Sequence, residues 1–327
     1  MATTVNNAFG EFLKNTVNLD SDVTSKARRS RDNLIENIKN FSGDDDFFVT
    51  YNDRILKFGS FAKKTKIREL DDIDIMFCLN GEGRTYTELT NGFEINGVQS
   101  DKDNSLCDDG TYKLNSTKVI NRFISKLKDL NDYKKSEMHK NYEAATLQLK
   151  SYTWNYDIVP CFYTTSDLYL IPDGKGKWKK TDPRIDANNV TNINQKHKGN
   201  VLNALRLTKY WNRYNSTYTI PSYLLETMIL NYYDDLSEKD NYWVDIEFRS
   251  IVQYISNKIL DDVDDPKGMQ GNINFFTTEE RDKVSEKAKS TYDKALEASG
   301  LESTDQKAAI NKWREIFGEN FPEYDGE

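Results

Sequence analysis

The sequence predicts an α+β protein, with strands and interspersed helices first and a helical block afterwards. Two extended runs lie in the first half: IDIMFCL at 73–79 and ATLQLKSYTWNYDIVPCFYT at 145–164. Beyond residue 196 the apolar residues recur mainly at helical spacing. We therefore expect a core of strands and helices over residues 1–190, packed against a helical domain over residues 191–327.

The first elements follow from changes in hydrophobic period. From Ser21 to Phe41 apolar side chains recur about every four or seven residues, which predicts one long helix capped by Ser21. The pieces FFVTY and ILKFGS are predicted to be short and extended. The run at 73–79 is predicted to be a buried strand because almost all of it is apolar.

The middle of the chain is less regular. The Gly-, Asn- and Asp-rich segment 80–116 predicts a long loop or a pair of weak hairpin strands. Residues 117–130 return to helical spacing, and 145–164 is predicted to be one strand that ends at Pro160. Four further helices are predicted from apolar spacing, at 199–215, 221–236, 246–262 and 278–298.

Composition excludes several classes of site. The chain has 327 residues, of which three are cysteines without a CxxC pair, so neither a disulfide framework nor a zinc ribbon is indicated. Its two histidines, His139 and His197, stand in no recognisable constellation, which argues against a histidine metal site or a Ser-His-Asp triad. No apolar run of about 18 residues and no signal peptide is visible, so we expect a cytoplasmic protein without a membrane span.

The charge distribution argues against binding along duplex nucleic acid. Residues 261–327 hold 17 acidic and 9 basic side chains, while the other 36 acidic and 36 basic side chains cancel. Neutralisation of phosphates supplies most of the affinity for a duplex, and this chain has no basic excess. Local basic clusters remain able to bind a nucleotide.

One spacing points to chemistry on phosphates. Gly59-Ser60 precedes Asp72-Ile-Asp74 by eleven residues, and Asp157 stands near the end of the run NYDIVP. Side chains two apart in a strand share a face, so Asp72 and Asp74 project together. Neighbouring carboxylates are tolerated when they bind a divalent cation, and hard oxygen ligands suit Mg²⁺. A third carboxylate from a neighbouring strand would complete a site for two metal ions, beside a Gly-Ser turn that binds phosphate.

These motifs carry a family resemblance. GSFAKKTKIRELDDIDIMF followed by NYDIVPCF resembles the DNA polymerase β-type nucleotidyltransferase superfamily. Within it, the chain resembles the cyclic GMP-AMP synthase/DncV-like nucleotidyltransferases of CBASS anti-phage defence. LTKYWNRYN, PSYLLETMIL, DDPKGMQGNI and WREIFGENFP are similar in order and content to the helical half of that group. The resemblance implies a mixed twisted sheet with helices, a C-terminal helical domain and an active site in the cleft.

The resemblance also assigns residues to roles. It implies that Gly59 and Ser60 bind the triphosphate, and that Asp72, Asp74 and Asp157 are catalytic and hold two Mg²⁺ ions, or Mn²⁺ in their place. In this scheme Asp157 is the proton acceptor for the attacking ribose hydroxyl.

Three further residues come from the helical half. The resemblance places Lys209 and Ser222 at the donor phosphates and Tyr223 against a base. The residues alone leave other interpretations open. Lys209 would be a solvated helix residue, Ser222 an N-cap and Tyr223 part of the core.

The activity implied is the condensation of nucleoside triphosphates, ATP or GTP and also UTP or CTP, into a cyclic di- or trinucleotide second messenger. Two alternatives stand beside it: a synthase of linear oligonucleotides or an RNA-end nucleotidyltransferase, and a catalytically silent nucleotide-binding scaffold. A regulatory protein partner is compatible with the sequence. Activation by duplex DNA is not expected, because the Cys/His zinc insertion of metazoan cyclic GMP-AMP synthase is absent.

Overall fold

The chain divides into two compact units. A computed structural model describes residues 2–215 and 218–326. We call Ser21–Lys63 with Leu70–Arg184 the strand unit. The helical unit consists of Lys64–Glu69 together with the described parts of Met1–Asp20 and Ile185–Glu327. This division places residues 2–20 and 64–69 in the helical unit. The sequence, by contrast, predicts a single boundary after residue 190.

A mixed sheet forms the strand unit. In the described residues its spatial order is β1-β2-β7-β8-β9-β4-β3, and β6 pairs with β7 and β5 with β6. The pair β2 and β7 is parallel and the other pairs are antiparallel. The strands are β1 (Leu56–Phe58), β2 (Asp72–Leu79), β3 (Thr85–Leu89), β4 (Gly92–Asn96), β5 (Glu137–Asn141), β6 (Ala144–Gln148), β7 (Asn155–Tyr163), β8 (Tyr169–Pro172) and β9 (Trp178–Thr181).

Helices α2 (Ser21–Lys39) and α5 (Ser116–Asp129) confirm the two helices predicted for this half, but Ser21 is the first residue of α2 and not its cap. Phe123 of α5 is fully buried, with its ring 5.0 Å from that of Phe47 and 5.9 Å from that of Phe77 on β2. The short helices α3 (Gly59–Ala62) and α4 (Asp101–Leu106) complete the unit. Of the two alternatives for segment 80–116, the structure has the hairpin, formed by β3 and β4, and it adds the short helix α4, which was not predicted.

The expected strand over 145–164 is wrong in two respects. The run is split between β6 and β7, and Pro160 lies inside β7 instead of ending it. The reason is visible in the register. β6 pairs with β7 up to Ile158 and β8 pairs with it from Phe162, so the missing N–H of Pro160 interrupts neither antiparallel ladder.

An aromatic core explains why the N-terminal residues belong to the helical unit. The ring of Phe9 lies 4.9 Å from those of both Trp313 and Phe321. Phe12 lies 5.1 Å from Phe321, and all four side chains are fully buried. Large aromatic rings dominate the energetics of such cores. The helices are α1 (Val5–Phe12), α6 (Pro183–Lys196), α7 (Val201–Asn215), α8 (Ser222–Asp234), α9 (Val244–Lys258), α10 (Thr278–Leu301) and α11 (Gln306–Phe317).

The four helices predicted in the C-terminal half are present as α7 to α10. Helices α1, α6 and α11 and strands β5, β8 and β9 were not predicted. None of the described helices is both long and apolar enough to cross a membrane.

Glu302 is expected to make the stability of the helical unit depend on pH. Burial, followed by the nearby Asp245 carboxylate, raises the pKa of Glu302 to about 7. Because the folded state disfavours the ionised carboxylate, stability is lost as the pH rises from about 4.5 towards 7. We expect Glu302→Gln to raise the free energy of unfolding at pH 8 by roughly 1–2 kcal/mol, allowing for partial exposure, and to change little at pH 4. Urea unfolding at both pH values measures this.

The control is Glu286→Gln, because Glu286 is an exposed residue of α10, the helix that ends directly before Glu302. A gain for Glu302→Gln that is equal at both pH values would contradict the explanation, because an ionisation effect must vanish below the unfolded pKa.

Candidate active site

Strands β2 and β7 place three carboxylates on one face of the sheet. On β2 the half-buried Asp72 and Asp74 alternate with the buried Ile73 and Ile75. Asp74 is the register partner of Asp157 on the parallel strand β7. Register partners on adjacent strands project to the same face, and the strands lie about 4.8 Å apart. The backbone register therefore brings Asp157 to the same face as the Asp72-x-Asp74 pair.

Thr146 orients one carboxylate of this group. It is the register partner of Asp157 on β6, the other neighbour of β7. Its hydroxyl donates to Oδ1 of Asp157 at 2.5 Å, and its side chain is buried. The bond fixes one carboxylate oxygen of Asp157. Sequence reasoning missed Thr146, because only the pairing of β6 with β7 brings it beside this aspartate.

Gly59 is required by the close approach of its backbone to Asp74. Strand β1 ends at Phe58, the antiparallel partner of Asp74, and α3 begins directly afterwards. Gly59 has a φ of +73°, and a Cβ built on it would lie 1.7 Å from Oδ2 of Asp74. Only glycine combines that dihedral with the absence of a side chain. Gly59 of the predicted Gly59-Ser60 turn thus leaves space for the Asp74 carboxylate, and we call this space the cradle.

The donor chemistry of this face suits a divalent metal ion. Three aspartates supply hard oxygen atoms, the ligands that Mg²⁺ prefers. Because Gly59 has no side chain, Oδ2 of Asp74 can lie where the Cβ of any other residue at position 59 would be. Among residues 2–215 and 218–326, no three His, Cys, Asp or Glu side chains form a group that could hold a metal ion as they stand. The three aspartates therefore share a face without converging on one point.

Lys209 lies in the helical unit, on α7, and is buried. Its ammonium group is 2.9 Å from Oε2 of Glu226 on α8 and donates to the carbonyl oxygen of Thr65 at 3.3 Å. Both members of the ion pair are less than 9% exposed. The interpretation of Lys209 as a solvated helix residue is wrong, because a helix facing solvent does not bury an ammonium group in this way.

We expect Lys209→Met to destabilise the helical unit, because Glu226 then keeps a buried carboxylate without the cation beside it. The free energy of unfolding should fall by about 3–5 kcal/mol, the usual cost of removing one member of a buried pair. Adding Glu226→Gln should recover a substantial part of the loss by neutralising that carboxylate. Urea denaturation of the two variants measures this. A loss below about 1 kcal/mol in Lys209→Met would contradict a desolvated pair.

Arg206 was not predicted from sequence, although it lies one helical turn before Lys209. Its guanidinium donates to the carbonyl oxygen of Lys64 at 3.2 Å and to Oδ1 of Asn203 at 2.7 Å, both neutral groups. Within the described chain its buried Nε has no hydrogen-bond partner. Burial lowers the pKa of Arg206. The i, i+3 spacing of Arg206 and Lys209 on one helix face was the available signal.

Ser222 and Tyr223 begin α8. Ser222 is exposed and is the first helical residue, and the N-cap position is occupied by Pro221. The interpretation of Ser222 as an N-cap is therefore wrong. Tyr223 is half-buried, and its hydroxyl forms hydrogen bonds with the side chains of Asp265 and Lys267. It is therefore more than an apolar part of the core.

The predicted site residues thus fall into two groups. Gly59, Ser60, Asp72, Asp74 and Asp157 lie in the strand unit, where β1, β2 and β7 bring the glycine and the aspartates together. Lys209, Ser222 and Tyr223 lie in the helical unit, on α7 and α8. The assigned roles of these eight residues stay predictions.

Comparison with known proteins identifies the family. No protein-family model matches the chain. It is 42% identical to a probable cyclic nucleotide synthase of Bacillus cereus (strain VD146), over 99% of this chain and 100% of that protein. The chain belongs to the family of bacterial cyclic nucleotide synthases. It is therefore a nucleotidyltransferase, and the resemblance seen in its motifs is confirmed.

One further relative and one solved structure are more distant from this cyclic nucleotide synthase. A cyclic AMP-AMP-AMP synthase of Acinetobacter sp. is 28% identical over 59% of this chain and 57% of that protein. The fold matches that of Escherichia coli MS115-1 CdnC, solved in complex with HORMA-deltaN, with a TM-score of 0.72 at 17% identity over 97% of this chain and 98% of that chain. CdnC has also been solved with ATP. The predicted fold class, a mixed sheet with a helical C-terminal region, is confirmed.

Proposed function

We propose that this enzyme condenses nucleoside triphosphates into a cyclic di- or trinucleotide, releases pyrophosphate, depends on Mg²⁺, and serves anti-phage signalling. The observation that carries the proposal is the register of Asp74 with Asp157, beside the cradle at Gly59. The name of the Acinetobacter relative, a cyclic AMP-AMP-AMP synthase, and the CdnC structure with ATP favour ATP as a substrate.

Asp72, Asp74 and Asp157 would hold the metal ions, either two Mg²⁺ or Mn²⁺ in their place. When bound, such ions neutralise phosphate charge and lower the pKa of the attacking hydroxyl. The Gly59-Ser60 turn would bind triphosphate oxygens through its amide groups and hydroxyl. With Oδ1 of Asp157 held by Thr146, the other oxygen of this carboxylate is the one placed to accept the proton of the ribose hydroxyl.

Each transfer forms one oxygen bond to an α-phosphorus and breaks the bond from that phosphorus to the bridging oxygen of pyrophosphate. In the last transfer, the free hydroxyl of the linear intermediate attacks the remaining α-phosphate of the same molecule and closes the ring. No covalent enzyme intermediate is required. In the helical unit, Lys209, Ser222 and Arg206, one turn before Lys209, would contact phosphates. Among the described residues, the guanidinium of Arg206 donates to neutral groups, the carbonyl oxygen of Lys64 and Oδ1 of Asn203, and a desolvated cation in such surroundings suits an anion.

A protein partner is the activator that we propose. E. coli CdnC, whose fold this chain shares, has been solved in complex with HORMA-deltaN. The absence of a basic excess argues against activation by duplex DNA.

The test is incubation of the purified protein with labelled ATP, GTP, CTP and UTP, singly and in pairs, with Mg²⁺, followed by mass spectrometry. We expect a product whose mass lacks a terminal triphosphate and which resists phosphatase. Chelation with EDTA should abolish it. A product with a phosphatase-sensitive end would indicate a synthase of linear oligonucleotides. Nucleotide binding without any product would indicate a silent scaffold.

A further inference from the structure

The hydroxyl group of Tyr223 lies within a small network of charged side chains in the helical unit. It donates to Oδ1 of Asp265 at 2.5 Å and lies 3.2 Å from Oδ1 of Asp186. The ammonium group of Lys267 donates to the same hydroxyl at 2.7 Å and lies 4.1 Å from the centre of the ring. The orientation of the ring is therefore fixed both at its hydroxyl and by a cation over one face.

Asp265 ties this network to the backbone of its own loop. Its buried carboxylate accepts hydrogen bonds from the backbone amides of Lys267, Met269 and Gln270, each at 3.1 Å. The amide of Asp265 donates to the carbonyl oxygen of Gly271 at 2.7 Å. The loop that follows α9 is thereby held in one conformation, and the hydroxyl of Tyr223 is anchored to it.

The positive charge of Lys267 lies beside the carboxylates of both Asp186 and Asp265. Its ammonium group lies 3.0 Å from Oδ2 of Asp186 and 3.8 Å from Oδ1 of Asp265. The Lys267 side chain is 9% exposed and that of Asp265 is 0% exposed. Burying such charges brings little net stability compared with apolar residues, so their contribution is better sought in fixing a geometry.

Tyr223 also lines a cavity of about 240 Å³ between α6 and α8. The residues that line the cavity include Asn189 and Thr227, whose side chains can both donate and accept hydrogen bonds. An aromatic ring held rigidly at the edge of a polar cavity is suited to a flat ligand with a hydrogen-bonding rim. A nucleobase has those properties.

We propose that Lys267 and Asp265 are positioning residues that hold the ring of Tyr223 for stacking on a nucleobase of the substrate. This inference rests on the proposed function, because it takes a nucleoside triphosphate as the ligand. It extends that function by assigning a role to the DDPKGMQGNI loop, through the hydroxyl of Tyr223. Lys267 and Asp265 act through Tyr223 and need not touch the nucleotide.

The test compares Tyr223→Phe, Lys267→Met and the double variant in the full chain. Tyr223→Phe keeps the ring and removes its anchor, whereas Lys267→Met keeps the hydroxyl and removes the cation. Lys258→Met is the matched control, because Lys258 also pairs with an aspartate, Asp261, on the surface at 3.3 Å. Thermal melting of each variant checks that it folds.

We expect each single variant to raise KM for the stacked nucleotide roughly five- to tenfold, with kcat changed less than about twofold. The double variant should be no worse than the worse single variant, because both changes release the same ring. Lys258→Met should match the unmodified enzyme. A purely structural role would lower the melting temperature and leave KM unchanged. That result, or multiplying effects in the double variant, would overturn the inference.

A second measurement does not depend on turnover. Quenching of 2-aminopurine riboside triphosphate fluorescence reports stacking of the base on an aromatic ring. Weaker binding of this probe in both single variants supports the inference, and unchanged binding in both overturns it. Absence of product from the unmodified enzyme would count against the proposed function alone, since the binding result still decides the role of Lys267.

Discussion

Asp74→Asn is expected to abolish product formation, lowering turnover by about three orders of magnitude or more. Asp74 lies between the other parts of the proposed site. Asp72 is two residues before it on β2, Asp157 is its register partner on β7, and Gly59 approaches its carboxylate. Asparagine keeps the size of the side chain and removes its negative charge. The measurement is the initial rate of pyrophosphate release with ATP and Mg²⁺.

Asp129→Asn is the matched control for this experiment. Asp129 is the exposed last residue of α5 in the same unit, so the same change of charge is made on a helix that carries none of the predicted site residues. It should keep the full rate. The site would be wrongly placed if Asp74→Asn retained more than about a tenth of the activity while folding normally.

Gly59→Ala is the second substitution for which we expect a large loss of activity. The added Cβ would lie 1.7 Å from Oδ2 of Asp74, and the backbone φ of +73° is unfavourable for alanine. Something must move, and the nearest group is the Asp74 carboxylate, on which the proposed site depends. We expect turnover to fall about 100-fold or more, because displacement of a catalytic group by 1 Å has effects of that order. Steady-state rates at saturating nucleotide measure it.

Gly43→Ala separates backbone strain from the clash. Gly43 has a φ of +98°, but nothing lies within 4 Å of a Cβ built there. The alanine should therefore cost about 1 kcal/mol of stability and leave turnover unchanged. Equal losses of activity in the two variants would show that strain, and not contact with Asp74, is the cause.

The shared face of Asp72 and Asp74 was predictable from sequence because its pattern is local. The alternation of Asp72 and Asp74 with buried isoleucines gives the shared face from the period of a strand. That β7 lies beside β2 was harder to predict, since the pairing of strands is not a local property of the sequence. The hydrogen bond from Thr146 to Asp157 follows from such a pairing, and no local pattern indicates it.

Long-range packing explains the other differences from the predictions. The short N-terminal helix was not predicted, and it belongs to the helical unit because Phe9 and Phe12 pack against Phe321. These contacts join residues at the two ends of the chain. The burial of Lys209 likewise depends on Glu226, which lies on the next helix. Hydrophobic period locates a helix, but it does not say which polar side chain a neighbouring helix will cover.

The central claim is that Asp72, Asp74 and Asp157 together hold the catalytic metal ions. Electron paramagnetic resonance of Mn²⁺ bound in the presence of a non-hydrolysable ATP analogue tests it most directly. We predict two ions per chain with spin coupling between them, and loss of that coupling in Asp72→Asn, Asp74→Asn and Asp157→Asn, with Asp129→Asn unchanged. An unaltered Mn²⁺ spectrum in all three site variants would contradict the claim.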